Sequence, residues 1–167
     1  MEDLRTERLT LVALTPELAR AAMDDRASLE RMLGAYVPEA WPGTDFATVL
    51  PRIARGIART SPETEQTRLI IHPADRTLIG ETGFHGPPDG SGTVEVGYSI
   101  VPNYRGRGFA SEATRVLIER AFERSGIRRI TAKCLNDNVA SLKILEKLGM
   151  RHVSSAGETL RFELRKK

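Results

Sequence analysis

One stretch near the middle of the chain restricts its fold more than any other, the segment TVEVGYSIVPNYRGRGFASEA at residues 93–113. Its first part is rich in Val, Ile and Tyr and mostly alternates in polarity, which predicts a half-buried strand over residues 93–101. Pro102 and Asn103 favour a turn that ends this strand. Apolar residues then recur at helical spacing, which predicts a helix over residues 108–125.

The loop between this strand and this helix reads Arg105-Gly106-Arg107-Gly108-Phe109-Ala110. Backbone N–H groups at a helix N-terminus have no intrahelical partner, and together with the helix dipole they attract anions. We therefore interpret the loop as a pyrophosphate site, the alternative being a tight turn without a ligand. A Walker-type loop is excluded because no Gly-Lys-Ser/Thr ending is present. A dinucleotide fingerprint fits poorly, since it needs a third glycine where this chain has Ser111.

Two motifs in this chain resemble those of a known family. The pattern Arg105-x-x-Gly108-x-Ala110 is similar to the Q/R-x-x-G-x-G/A acetyl-CoA signature of the GCN5-related N-acetyltransferases, the GNAT superfamily. The flanking segments EVGY (residues 95–98) and ASEA (residues 110–113) look like the branch with the RimJ and RimL ribosomal-protein acetyltransferases. The segments NVAS (138–141) and LEKLGM (145–150) resemble the N-x-x-S and E-K-L-G-F of that branch. The resemblance covers residues 67–150.

This resemblance implies a fold and a reaction. The fold would be α/β (α+β), with a mixed, mostly antiparallel sheet that splays between two central strands to admit the pantetheine arm of acetyl-CoA, and with helices on its faces. The reaction would move an acetyl group directly from acetyl-CoA to a primary amine, on a small molecule or at a protein N-terminus, without a metal or a covalent intermediate. A non-catalytic CoA-binding or regulatory module on the same fold is the alternative.

The resemblance also implies a set of residues that bind acetyl-CoA. The glycine loop would hold the pyrophosphate, and its arginines would either add contacts or remain solvated. The preceding strand would bond the pantetheine arm and the thioester oxygen through backbone groups. Asn138 would contact the same arm, cap a helix, or do both. The full set is Tyr98, Ser99, Ile100, Val101, Arg105, Gly106, Arg107, Gly108, Phe109, Ala110, Asn138 and Ser141.

Two residues are candidates for proton transfer. Glu95 matches the acidic residue of the relatives and would act as general base; the alternative is a strand carboxylate paired with an arginine. Ser141 would protonate the leaving thiolate. Many relatives use a tyrosine for this step, but this chain has Leu145 at that position, so the identity of the acid stays open. His85 is a weaker base candidate. The residues assigned to the acceptor site are Tyr36, Trp41 and His85, with Trp41 as plain core filling the alternative.

The pKa of the acceptor amine favours one class of substrate. An α-amino group with a pKa of about 7.7–8.0 is deprotonated at pH 7 for about 1 kcal/mol, whereas a lysine near 10.4 costs nearly 5 kcal/mol. No strong base is evident in the sequence. A protein N-terminus or another amine of low pKa is therefore the expected acceptor.

Composition excludes several other classes. With 167 residues the chain is expected to form one domain over residues 1–167. A net charge of +3, without a basic stripe, argues against nucleic-acid binding. The charged start MEDLRTERL and the lack of a long apolar run argue against export and membrane insertion, so a cytoplasmic location is expected. The three histidines and the single cysteine lack the spacing of metal ligands. Cys134 is expected to be a buried, small apolar residue. A homodimer remains open.

The rest of the pattern alternates strands and helices. Strands are predicted at residues 4–13, 68–72, 77–85 and 129–135, and a final hairpin at residues 150–155 and 158–165. Helices are predicted at residues 15–25 with Thr15 as N-cap, 27–33 before Gly34, 46–59 and 138–148. Residues 36–45 and 86–92 are predicted to be loops.

Overall fold

A computed structural model describes residues 2–57, 67–124 and 126–167. Within these ranges the chain forms five α-helices: α1 (Pro16–Asp24), α2 (Arg26–Leu33), α3 (Thr44–Ile57), α4 (Phe109–Glu123) and α5 (Val139–Lys147). The same ranges contain eight strands: β1 (Leu4–Arg5), β2 (Thr10–Ala13), β3 (Arg68–His72), β4 (Thr77–Phe84), β5 (Thr93–Ile100), β6 (Arg129–Leu135), β7 (Arg151–Ala156) and β8 (Thr159–Arg165).

The strands form a single mixed sheet in the order β1-β2-β3-β4-β5-β6-β8-β7. Every neighbouring pair is antiparallel except β5 and β6, which run parallel in the middle of the sheet. A parallel pair needs a crossover connection, and α4 supplies it here. The predicted mixed, mostly antiparallel α/β fold is confirmed.

The two parallel strands part soon after they meet. In the part of the chain that the structure describes, their pairing covers only Thr93–Arg129, Val94–Ile130 and Glu95–Thr131. Beyond Glu95, β5 continues along β4 as far as Ile100, whereas β6 follows β8 along its whole length. The sheet is therefore open between β5 and β6, which confirms the predicted splay.

Two hydrophobic clusters lie on either side of this opening. One joins α1, α2 and α3 to β2, β3, β4 and the start of α4. The other joins α4 and α5 to the end of β4 and to β5, β6 and β8. Tyr98 and Ile144 pack against both clusters. Tyr98 therefore stands where the two halves of the core meet, next to the point at which the strands separate.

Side-chain caps and a left-handed glycine fix several helix ends, as the sequence predicts. Thr15 Oγ1 accepts from the Leu18 N–H (3.2 Å), and Pro16 occupies the first position of α1. Gly34 ends α2 with φ 60°. Asn138 Oδ1 accepts from the Ser141 N–H (3.0 Å), so Asn138 is the cap of α5.

The predicted single strand over residues 4–13 is wrong. The chain turns back between β1 and β2, where the Thr6 N–H donates to the Leu9 carbonyl (2.9 Å), so the segment forms a short hairpin. Pro51 lies in the middle of α3, farther along than expected. The predicted last residues of two helices, Arg59 and Ser125, lie outside the described residues.

Candidate active site

The loop ahead of α4 forms an open cradle of backbone groups. Gly106 (φ 75°) and Gly108 (φ 81°) adopt the left-handed conformation that favours glycine. The Glu112 N–H donates to the Gly108 carbonyl (3.0 Å), which starts the helical ladder. The N–H groups ahead of it therefore point out of the helix end. A Cβ on Gly106 would meet nothing within 4 Å, and a Cβ on Gly108 would lie 3.6 Å from Arg8 Nη2.

Arg8 braces this loop from the other end of the chain. Its guanidinium stacks over the Phe109 ring (4.5 Å to the centroid) and pairs with Glu112 (2.6 Å). It also donates to the Arg107 carbonyl (3.1 Å). Sequence reasoning missed Arg8 because no local pattern connects it to a loop about a hundred residues away. The start of the chain therefore holds the loop in place.

The two loop arginines are held by different contacts. Arg105 Nε donates to the Ile100 carbonyl (2.8 Å), which ties the loop to the end of β5. The Arg107 guanidinium lies over the Tyr104 ring (5.2 Å). Both arginines lie beside the cradle, and their contact with a pyrophosphate stays a prediction.

The backbone of β5 presents alternate residues to the opening. The Val101 N–H donates to the Ile79 carbonyl and the His85 N–H to the Glu95 carbonyl (both 2.8 Å), so odd-numbered residues face β4. Even-numbered residues direct their backbone groups to the opposite edge, toward the opening: Val96, Tyr98 and Ile100. Of the four strand residues expected to bind the pantetheine arm, Tyr98 and Ile100 turn their backbone to the opening, and Ser99 and Val101 turn theirs to β4.

A pair of hydroxyl groups lies on the α5 side of the sheet. Tyr98 Oη and Ser141 Oγ are 2.9 Å apart. Burial raises the pKa of the Tyr98 hydroxyl above its ordinary value. The sequence assigned Tyr98 only a backbone role, and the contact with Ser141 depends on how α5 packs. Tyr98 therefore places a phenol near the site although the relatives' tyrosine position holds Leu145.

A buried carboxyl lies on the other face of the sheet. Glu81 on β4 is 5% exposed and pairs in register with Ser99 on β5. Trp41 Nε1–H donates to Glu81 Oε2 (2.7 Å), and the Ser99 hydroxyl donates to Glu81 Oε1. Burial raises the pKa of Glu81 to about 7, against the two hydrogen bonds, which lower it. Sequence reasoning missed Glu81; its position within LIGETGF, a run of otherwise small or apolar residues, was the available signal.

A cavity of about 260 Å³ opens beside this carboxyl network. Its walls come from the end of β5 with the following turn, and from the loop and first turn leading into α3; they include Asp45, Phe46, Ser99, Ile100, Val101 and Arg105. Trp41 is 1% exposed and contacts Phe46 (ring centroids 5.9 Å apart), so it supports this wall from behind. Tyr36 is exposed, and its backbone bonds Arg76 and Leu78.

Glu95 lies in an ion pair. Lys133 Nζ is 2.8 Å from its Oε2, and His85 Nδ1 is 3.2 Å from its Oε1. Burial raises the pKa of Glu95, but Lys133 and His85 outweigh it, so the pKa lies below the ordinary value. Its partner is a lysine and not the arginine of the alternative interpretation. The base role of Glu95 stays a prediction.

The raised pKa of Glu81 predicts a specific pH dependence of stability. The folded protein binds this proton more tightly than the unfolded chain, so Glu81 destabilises the fold as pH rises from its ordinary pKa of 4.5 to about 7. The free energy of unfolding should fall by about 3 kcal/mol across this window, at about 1.4 kcal/mol per pKa unit. Glu81→Gln should lack this component. Urea denaturation of both proteins at pH 4.5 to 8 measures it, and parallel curves would contradict it.

The described residues also bear on the expectations for cysteine chemistry, metal binding and membrane insertion. Cys134 is a free thiol and is buried, as predicted, and burial raises its pKa. No group of three or more His, Cys, Asp or Glu side chains is placed to hold a metal ion in the described ranges. None of the helices in those ranges has the length and apolar character needed to cross a bilayer.

Comparisons with a family model and with a known protein both match this chain to N-acetyltransferases. A family model described as "Acetyltransferase (GNAT) domain" matches residues 8–151. The Bacillus subtilis protein named "Uncharacterized N-acetyltransferase YjdG" is 33% identical over 147 residues, 87% of this chain and 88% of that protein.

Two solved structures share the fold at low identity. The ribosomal-protein-S5-alanine acetyltransferase from Vibrio fischeri superposes with a TM-score of 0.69 at 16% identity, covering 99% of this chain and 97% of that one. RimL, a ribosomal L7/L12 α-N-protein acetyltransferase in complex with coenzyme A, gives a TM-score of 0.64 at 18% identity, covering 98% of each chain.

Proposed function

The chain belongs to the GNAT family of N-acetyltransferases, and from that premise we propose that it moves the acetyl group of acetyl-CoA directly to a low-pKa primary amine, with a peptide α-amine as the preferred acceptor. The observation that supports this most is the opening between β5 and β6 beside a helix N-terminus with two left-handed glycines. A helix end of this kind favours a pyrophosphate, and a parted sheet leaves room for an extended arm.

The residues around the opening fit acetyl-CoA. The cradle at Gly106 and Gly108 has room for a phosphate against the backbone, because neither glycine would bring a Cβ within 3.4 Å of a neighbour. The backbone groups of Tyr98 and Ile100 would bond the amide-rich pantetheine arm, as strands bond one another. Asn138, which caps α5, would contact the same arm.

Acetyl transfer requires a bound donor and a proton for the leaving sulfur, and the residues near the opening can provide both. Acetyl-CoA supplies an activated acetyl group, whose C–S bond breaks as the C–N bond forms. The Tyr98–Ser141 pair, at 2.9 Å, can pass a proton to the sulfur, since either hydroxyl can donate to the other. Orientation of the two reactants lowers the barrier by roughly 7–11 kcal/mol, so holding the donor contributes more than any single proton transfer.

The preference for an α-amine rests on two arguments. The first is the lower cost of deprotonating an amine with a pKa of about 7.7–8.0 than a lysine near 10.4. The second is that solved structures sharing the fold include proteins named for acetylation of ribosomal proteins, at an alanine of S5 and at the α-amine of L7/L12. The acceptor would enter the cavity beside Ser99 and Phe46.

The first test measures binding and turnover together. Acetyl-CoA at 100 times its dissociation constant should stabilise the fold by about 2.7 kcal/mol, roughly 5–11 °C in melting temperature, and NAD and ATP should not. Turnover should then be measured by release of free thiol with a hexapeptide that begins with alanine. The same hexapeptide with a blocked N-terminus and one lysine should react at least tenfold more slowly. No shift with acetyl-CoA, or a faster lysine peptide, would contradict the proposal.

A further inference from the structure

We propose that Ser99 and Glu81 form a proton relay, in which the Ser99 hydroxyl takes the proton of the acceptor amine and passes its own proton to Glu81. This inference rests on the proposed function, because it assigns the base for that reaction. It departs from the sequence motifs, which point to Glu95.

The direction of the Ser99 hydroxyl carries the first step. Its hydrogen is donated to Glu81 Oε1, so its oxygen lone pairs remain available to accept a hydrogen bond. Ser99 also lines the cavity beside the end of β5. A neutral amine in that cavity would donate an N–H to Ser99 Oγ, just as the hydroxyl donates to the carboxylate behind it. A proton can therefore pass from the cavity to the buried carboxyl of Glu81 through Ser99 alone.

The anchoring of Glu81 carries the second step. Both of its oxygens are hydrogen-bonded, one to Trp41 Nε1–H (2.7 Å) and one to Ser99, and the side chain is almost completely buried. Trp41 is fixed in turn by its burial, so the carboxylate cannot rotate freely. A pKa of about 7 suits an acceptor of protons at neutral pH, whereas the pKa of Glu95 is lowered by its pairing with Lys133.

The charged groups on the elements around Glu81 do not compete with its role as proton acceptor. Arg68 on β3 pairs with Thr82, so it belongs to the opposite face of the sheet. Asp45 of α3 and Arg105 line the cavity itself. Farther along the same face of β4 and β5 lie His85 and Glu95, the latter paired with Lys133. Burial raises the pKa of Glu81 and its two hydrogen bonds lower it, and no charged neighbour is among the causes of the shift.

The proton transfers balance across the strand. As the amine nitrogen bonds to the acetyl carbon, one N–H bond breaks and that proton moves to Ser99 Oγ, while the Ser99 proton moves to Glu81 Oε1. The electron pair of the C–S bond remains on sulfur, which takes a proton from the Tyr98–Ser141 pair, and that pair recovers a proton from solvent after CoA leaves. Glu81 then returns its proton through Ser99 to solvent. Neighbouring residues of a strand point to opposite faces, so Tyr98 and Ser99 keep the acid and the base apart.

The test combines kinetics of three variants with the hexapeptide that begins with alanine. Ser99→Ala and Glu81→Gln should each lower kcat about 100-fold, the smaller end of what a positioned base supplies, and leave the KM for acetyl-CoA within about twofold. Ser99→Thr keeps a hydroxyl and should recover activity to within about tenfold of the wild type. Glu119→Gln, on the exposed side of α4, is the matched control and should behave as the wild type.

The pH profile separates a proton-transfer role from a structural one. At saturating peptide the wild-type kcat should rise with pH through about 7, as Glu81 ionises, and Glu81→Gln should lose this rise. In the protein without substrates, carboxyl ¹³C NMR should show Glu81 titrating near 7, and at a higher pH in Ser99→Ala, because the lost hydrogen bond favours the carboxylate.

Two outcomes would overturn the relay. One is a wild-type rate in Ser99→Ala, a variant that decides the question even if Glu81→Gln does not fold. The other is loss of the pH-dependent rise in Glu95→Gln but not in Glu81→Gln, which would return the base to Glu95. If the wild type neither binds acetyl-CoA nor acetylates the peptide, the proposed function fails and the relay fails with it. If the wild type turns over and the variants match it, the relay alone fails.

Discussion

Gly108→Asp is expected to weaken acetyl-CoA binding at least 100-fold while leaving the fold intact. Gly108 immediately precedes α4, and a Cβ there has room, with Arg8 Nη2 3.6 Å away and Ser111 Oγ 4.0 Å away. A new carboxylate would pair with Arg8 and occupy the positive end of the helix, where the pyrophosphate is proposed to lie. Losing two charge-assisted hydrogen bonds, at about 1.5–3 kcal/mol each, costs at least a factor of 100.

Gly108→Asn is the matched control for this charge effect. Asn and Asp are similar in size, and both tolerate the left-handed conformation with φ near 81° better than other residues. We expect about a tenfold loss with Asn, mostly steric, and a further tenfold or more with Asp. Calorimetric titration with acetyl-CoA measures both, and the melting temperature of the free proteins verifies folding. Equal affinities for the Asp and Asn variants would show that no anion binds at this helix end.

Gly80→Ala is expected to destabilise the fold by at least about 3 kcal/mol. A Cβ on Gly80 would lie 2.1 Å from the Ser99 carbonyl oxygen, which belongs to the backbone of a central strand and cannot rotate away. The two strands would have to separate, a change at or above the upper end of the usual 1–3 kcal/mol for overpacking. For a chain of this size the melting temperature should fall by roughly 6–12 °C. Activity should fall as well, because the same register aligns Glu81 with Ser99.

Two other glycines calibrate this prediction. A Cβ on Gly97 would lie 2.6 Å from His85 Nε2, the far end of a half-exposed side chain that can move, so Gly97→Ala should cost less than about 1.5 kcal/mol. Gly90 has open space around it, and Gly90→Ala should stay within about 0.5 kcal/mol of the wild type. Thermal denaturation of all three variants tests the order. A Gly80→Ala protein as stable as Gly90→Ala would mean that the strands are less closely packed than the structure shows.

The Gly80 prediction and the proposed relay both involve β5, which lies between the two halves of the sheet. Its N-terminal part joins the two halves of the sheet, and its C-terminal part borders the opening. Tyr98 contacts Ser141 on one face, and Ser99 contacts Glu81 on the other. We therefore expect defects in β5 to affect the donor side and the acceptor side separately, depending on which face is changed.

The sequence by itself determined the local features of this protein. The strand, glycine loop and helix around Gly106 and Gly108, the cap at Thr15 and the stop at Gly34 each follow from residues within a few positions of one another. Such features are encoded by short-range sterics and backbone hydrogen bonds, which a sequence pattern displays directly. The splay of the sheet was predicted from the resemblance of the motifs to a known family, and not from these local patterns.

Only the tertiary structure decided which side chains face one another. Trp41 and Glu81 are 40 positions apart, and Arg8 and Glu112 are 104 positions apart, so no periodicity joins them. The hairpin of β1 and β2 was missed because alternation of polarity does not reveal where a strand turns. The protonation behaviour of the two carboxyl groups also could not be derived from the sequence. Burial raises the pKa of Glu81 and an ion pair lowers that of Glu95, and both effects arise from neighbours that packing alone brings together.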